Sequence, residues 1–205
     1  SLIQNRIDMK RLLFLILICC SLSALNAQRY FHDQPSFMYG FKIGYNLPFQ
    51  KQYSFSDSLT NSVSAEFGAF FRAGKYVYGE IGFNYMFHKT TFNTFMDGAP
   101  IDAFAELRYL QIPIKAVAYL PVGDEIAFMP NVGVIYQPLV ALKNNDAFYN
   151  KSTIQTNQFV LTAGLGFRLH FFSFEVNYRH LLRDFYVNKP GKRPNFLNLV
   201  LGFQF

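Results

Sequence analysis

Glu66, Glu80 and Glu175 are matched in this chain by Lys42, Arg72, Lys115, Arg168 and Arg179, and all eight fall in stretches where large apolar and small or polar residues alternate. Carboxylates and cations gathered in a confined space must pair or stay hydrated, so such a set builds an ion-pair network or, if water enters, an ion path. Acid–base or nucleophilic chemistry asks for more. His88 and His180 lie in similar stretches, but neither has a Ser and an Asp beside it in a recognisable catalytic motif. The segment "MDGAPID" supplies Asp97 and Asp102, too sparse for a calcium loop, and reads as an ordinary turn.

At 205 residues the chain has room for one domain. It is 51% apolar and only 16% charged, yet a single continuous apolar run stands out, "LLFLILICCSLSAL" over 12–25, preceded by Met9, Lys10 and Arg11. That run is shorter than the roughly 20 residues of a spanning helix, and a basic start with a small Ala27 at the end is the layout of a cleaved secretory leader. We expect residues 1–8 to be upstream translation, 9–27 the leader, 28–35 a short periplasmic segment and 36–205 the folded domain. Cys19 and Cys20 leave with the leader, and Ile18 stands where a lipoprotein would need a small residue, so no thiol or cysteine–metal chemistry is expected. Losing Arg6, Asp8, Lys10 and Arg11 lowers the formal charge of +6 by two. What remains is too mild and too scattered for nucleic acid.

The elements that must position the charges come from the alternation itself. Over 37–47, Phe37, Tyr39, Phe41, Ile43, Tyr45 and Leu47 oppose Met38, Gly40, Lys42, Gly44 and Asn46. Period two of this kind is the mark of a strand with two unlike faces. The same pattern recurs over 63–72, 80–88, 109–120, 126–137, 158–168, 172–179 and 196–205, giving eight strands and no helical period after the leader. "AGK", "PVGDE" and "HF" join strands two to three, four to five and six to seven. The other connections are long, around 51–59, 90–102, 139–156 and 182–194. Short turns at one end and long loops at the other predict an eight-stranded antiparallel up-and-down transmembrane β-barrel of the outer-membrane kind, with both termini on the periplasmic side.

An eight-stranded barrel closes on an interior just wide enough for side chains. The rows of Phe, Tyr, Leu and Ile would overfill it, so they face lipid, and the row of Gly, Ala, Ser, Asn, Gln and the eight charges faces the lumen. Tyr39, Tyr45, Tyr85, Phe87, Tyr136 and Tyr178 fall towards strand ends, where interfacial aromatic girdles sit.

"YLQIPIKAVAYL", 109–120, resembles the fourth-strand signature of the PorT-like outer-membrane β-barrel domain family, and the resemblance covers about 36–205. The family's Tyr-Leu, its apolar-Pro pair and its nearby basic residue fall on Tyr109, Leu110, Ile112, Pro113 and Lys115. A lumen-facing proline inside a strand fits a bulge or a locally missing ladder bond. The ending "FQF", with Phe203 and Phe205, resembles the aromatic signal read by the barrel-assembly machinery. The resemblance implies a bacterial outer-membrane location and, through the family's namesake, a link to protein secretion.

We therefore expect a non-enzymatic integral outer-membrane protein of Gram-negative bacteria, structural or binding through its loops, with a lumen plugged by its own side chains and no cofactor or metal. An accessory role in secretion is one alternative. An enzyme acting on outer-leaflet lipid is another, since barrels of this kind use His with Ser or Asp near the outer leaflet, and His88 and His180 lie towards the outer strand ends. Arg183, Lys189, Lys192 and Arg193, in the last long loop, are candidates for lipopolysaccharide phosphates; a solvated loop is the plainer reading. The expected partners are outer-membrane lipids and lipopolysaccharide, with the assembly machinery and periplasmic chaperones during biogenesis, and secretion-system proteins under the alternative.

Overall fold

The computed structural model describes residues 35–48, 59–96, 99–123, 125–143, 155–184 and 195–205. The expected leader lies outside them. Nine strand segments follow one another: β1 (Phe37–Pro48), β2 (Leu59–Gly74), β3 (Val77–Met96), β4 (Ala99–Ala118), β5 (Leu120–Pro121), β6 (Ile126–Lys143), β7 (Asn157–Leu169), β8 (Phe172–Leu181) and β9 (Asn195–Gln204). Successive segments pair antiparallel, except that β4 and β5 do not pair with each other and both pair with β6, and β9 returns to β1. β5 merely continues β4 beyond Tyr119, so the nine segments form the eight staves of a closed barrel. At the seam Phe205 N donates to Tyr39 O at 2.8 Å, and Tyr39 N donates back to Phe205 O at 3.1 Å.

The two ends differ as the connection lengths predict. Only Lys75 and Tyr76 separate β2 from β3, and only His170 and Phe171 separate β7 from β8. His170 has φ 55°, the positive value that the first centre of a tight hairpin turn demands. At the other end, the connection expected over 90–102 is largely strand. β3 and β4 stay paired from Lys89↔Glu106 out to Met96↔Ala99. The apolar alternation lapses there, because a strand beyond the hydrocarbon has no lipid to face, and the strand is then invisible to period-two reading. The same reason hides the start of β2 at Leu59 and the reach of β6 to Lys143.

Burial alternates residue by residue along β1, β7 and β8. The exposed set is the apolar one: Phe41 is 62% exposed, Ile43 55% and Leu165 56%. On β3 this outward row runs uncharged over 77–87, about the length a tilted spanning strand needs. A closed ladder leaves no unpaired sheet edge, and an exterior of this character is dissolved by hydrocarbon and not by water. The molecule is a transmembrane barrel.

Its interior is richer in apolar residues than the alternating row suggests. Met38, Tyr78, Val117, Tyr119, Ala127 and Met129 fill the turn end, while Met86, Leu107, Tyr109, Ile135, Val160 and Leu181 fill the loop end. The charges lie between these layers. Glycines on neighbouring staves make the room: Phe70 faces Gly40 and Gly82, Glu66 faces Gly44, Lys115 faces Gly133, and Glu175 faces Gly166. Large against small across each rung is how a narrow barrel fills without strain.

Candidate functional site

Because alternate residues point inward, Lys42 of β1, Arg72 of β2, Glu80 of β3, Lys115 of β4 and Glu175 of β8 meet on the axis from five different staves. Lys42 Nζ lies 2.7 Å from Glu80 Oε1 and 3.2 Å from Glu175 Oε1. Arg72 bridges the same two carboxylates, Nε to Glu80 at 2.7 Å and Nη2 to Glu175 at 2.8 Å. Lys115 Nζ reaches Glu175 Oε2 at 3.0 Å and Glu80 Oε1 at 3.6 Å. The Phe70 ring lies beneath both Lys42, at 4.3 Å, and Arg72, at 4.6 Å, and so receives cations on its negative face.

One layer nearer the loops, Arg179 and Glu66 form a two-pronged pair at 2.6 and 2.8 Å. The fork is held by neutral neighbours: Arg179 Nη1 also donates to Asn46 Oδ1 at 3.0 Å, and Asn198 Nδ2 to Glu66 Oε1 at 3.3 Å. Above it Gln111, Gln137 and Gln158 form an amide ladder across β4, β6 and β7, with bonds of 2.9 and 3.2 Å. Within the axis cluster and the fork, four cations thus face three carboxylates, all essentially buried.

Of the eight lumen charges expected, the structure joins seven. Arg168 stands apart at the turn end, where it donates to the Tyr119 hydroxyl and to the His170 carbonyl. It lines a hollow of about 220 Å³ with Met38, His170, Gln204 and Phe205. Period two reports which face a residue occupies but not its height, and Arg168 lies too near the turn to reach the axis cluster.

Of the family-motif residues, Tyr109 is buried in the loop-end layer, Leu110 and Ile112 face outward, and Lys115 joins the network. Pro113 is buried against Gly82, and the β3–β4 pairing lapses between Ile81↔Ile114 and Asn84↔Gln111, as a residue without an N–H requires. Phe203 and Phe205 lie on the outer face, Phe205 with its ring 6.0 Å from that of Tyr39.

The two histidines part company. His180 faces outward at the loop end, with Nδ1 2.6 Å from Asn195 Oδ1. His88 is buried in the lumen, and its rung partner on β2 is Ser64. The two residues are 24 positions apart in sequence, so only register reveals the juxtaposition. The Ser64 hydroxyl accepts from Asn46 Nδ2 at 3.3 Å, while the imidazole meets the edge of Phe196. Both line a cavity of about 30 Å³ at the loop end with Gln111, Gln158 and Arg179. There Gln111 Oε1, Gln158 Nε2 and Arg179 Nε have no partner among the described residues. One acceptor and two donors around a space of that size suit a single bridging water.

Arg183 lies over the lipid-facing ring of Phe159, 5.4 Å from its centroid. Lys189, Lys192, Arg193 and Asp97 lie outside the described residues, as do the connections over 49–58, 144–154 and 185–194. Among the described residues no three His, Cys, Asp or Glu side chains gather as a metal site.

No protein-family model matches the sequence, and no curated protein does. Among solved structures, the outer membrane enzyme PagL is 12% identical, with 80% of this chain and 98% of that one covered and a TM-score of 0.45. The N-terminal β-barrel domain of Pseudomonas aeruginosa OprF is 11% identical over 82% and 97%, with a TM-score of 0.42. A de novo designed transmembrane β-barrel is 12% identical over 84% and 98%, with a TM-score of 0.40. Likeness at this level carries no reading of activity.

Proposed function

We propose that this protein is a non-enzymatic integral barrel of the bacterial outer membrane, exported by the leader over 9–27, with a structural or binding role carried by its loop-end face. One observation carries the reading: two apolar layers with a buried ion network between them block the lumen. The wall is committed to lipid and the lumen to packing, which leaves recognition to the connections. Replacing 49–58, 144–154 and 185–194 with short Gly-Ser turns should leave a heat-modifiable barrel in the outer membrane and abolish the phenotype that a deletion strain reveals. Full function in all three variants overturns the reading.

Two other readings have specific support. Ser64 opposite His88 beside a loop-end cavity favours an outer-leaflet lipid hydrolase, and lipid A from a Ser64→Ala strain, compared by mass spectrometry with wild type, tests it. The resemblance of 109–120 to the PorT-like family favours an accessory of secretion, which co-purification in mild detergent tests.

A further inference from the structure

The outward row on β3 changes character after Phe87, and that on β4 after Leu110. The next outward residues are Lys89 on β3, Glu106 and Arg108 on β4, and Lys143 on β6. Register sets them side by side. Lys89, Glu106 and Lys143 occupy one rung across three staves, and Phe87, Arg108 and Ala141 occupy another. A β-bulge between Arg108 and Tyr109 keeps Leu107 and Leu142 opposite each other in the loop-end lumen layer while Lys143 stays exposed on the wall.

Arg108 is held flat against this wall. Its Nε and Nη2 donate to Glu106 Oε1 at 2.8 and 2.7 Å, and its guanidinium carbon lies 5.4 Å from the Phe87 centroid. Phe87 is fixed in turn by Tyr85, edge-on at 4.9 Å, and by Phe67, stacked at 6.0 Å. The patch is therefore a braced aromatic shelf at the edge of the apolar band, with three cations and one carboxylate along it. Glu106 takes two of the five guanidinium donors and Tyr85 another, and one carboxylate stands against three cations, so the row keeps a positive excess.

We propose that Lys89, Arg108 and Lys143 form a binding site for the phosphate groups of an anionic outer-leaflet lipid, whose acyl chains lie down the wall along Phe87, Tyr85 and Leu110. The site rests on the outer-membrane reading above, since it needs the loop end to be the outer-leaflet end. Charge and geometry both select that occupant. The row stands at the level where hydrocarbon gives way to headgroups, cations there gain from an anionic surface, and a guanidinium fork matches phosphate oxygens. A neutral lipid would meet the same shelf without bringing an anion to this positive row.

The test is native mass spectrometry of the purified full-length barrel in neutral detergent, titrated with bis-phosphorylated lipid A and with its dephosphorylated form. The wild type should retain the phosphorylated lipid about tenfold better. The Lys89→Gln/Arg108→Gln/Lys143→Gln variant, still heat-modifiable on gels, should lose that preference. Equal retention of the two lipids by the wild type, or an undiminished preference in the triple variant, overturns the site. Should the triple variant not fold, Lys89→Gln and Lys143→Gln must each lower the preference a few-fold, and no change in either overturns the site equally. A wild-type barrel that fails to enter phospholipid vesicles defeats the outer-membrane reading itself; one that enters them without phosphate preference defeats only this site.

Discussion

Glu80 and Glu175 share the three cations of the axis cluster, and Lys42, Arg72 and Lys115 all lie within 3.6 Å of the Glu80 carboxylate. Glu80→Gln keeps the shape and removes the charge, leaving those three cations to Glu175. Uncovering buried charge in this way costs about 3–5 kcal/mol. The chain has no Trp, so urea unfolding is followed by circular dichroism or by the heat-dependent gel shift, and the midpoint should fall well below that of the wild type. An unchanged midpoint would mean that the cluster is hydrated and contributes no net attraction. The Glu66–Arg179 fork behaves differently, being two-pronged and balanced. Arg179→Met alone should destabilise more than Arg179→Met with Glu66→Gln, since the double change leaves no carboxylate unpaired. The sequence showed which of these side chains share a face, because alternation is local. It did not show that Glu66 chooses Arg179, that Arg168 binds Tyr119, or that Ser64 faces His88. Those pairings depend on register between staves, which no single strand encodes.

Among the strands, the glycines are what allow a lumen this narrow to hold residues this large. Gly44 lies across from Glu66, and a Cβ built there would come within 2.8 Å of Glu66 Cγ and 2.9 Å of its Oε1, with no backbone atom among its closest contacts. Gly44→Val should therefore cost about 1–3 kcal/mol through overpacking. The cost should shrink markedly in a Glu66→Ala/Arg179→Met background, where the obstructing side chain is gone. Equal cost in both backgrounds would assign the requirement to the β1 backbone and not to the rung. The membrane-crossing parts of the strands were legible because lipid on one side and a packed lumen on the other force strict alternation. Past the hydrocarbon that force ends, and the outer parts of β3 and β4 read as loop. The apolar layers were missed for a related reason: Met38, Tyr78, Met86 and Ile135 occupy the inward row, and only the heights of neighbouring staves show that they gather above and below the charges.

Taken as one object, the barrel is a stack: an apolar layer at the turn end, the axis cluster, the Glu66–Arg179 fork, the glutamine ladder and an apolar layer at the loop end. An ion crossing it would have to displace carboxylates already bound to fixed cations, and then pass between Tyr78, Tyr119 and Met129 on one side and Met86, Tyr109 and Ile135 on the other. Eight staves leave no second route, because the interior only just accommodates its own side chains. The purified barrel in a planar bilayer should accordingly show at most brief, small openings. The cavity beside Gln111, Gln158 and Arg179, about 30 Å³, has room for about one water and adds no passage. Glu80→Gln should increase the frequency of openings without creating a wide pore, since it loosens the central layer and leaves both apolar layers in place. Steady conductance of porin size from the wild type would show that the lumen is open in the membrane, and the binding role assigned to the loop-end face would then give way to transport through the wall's interior.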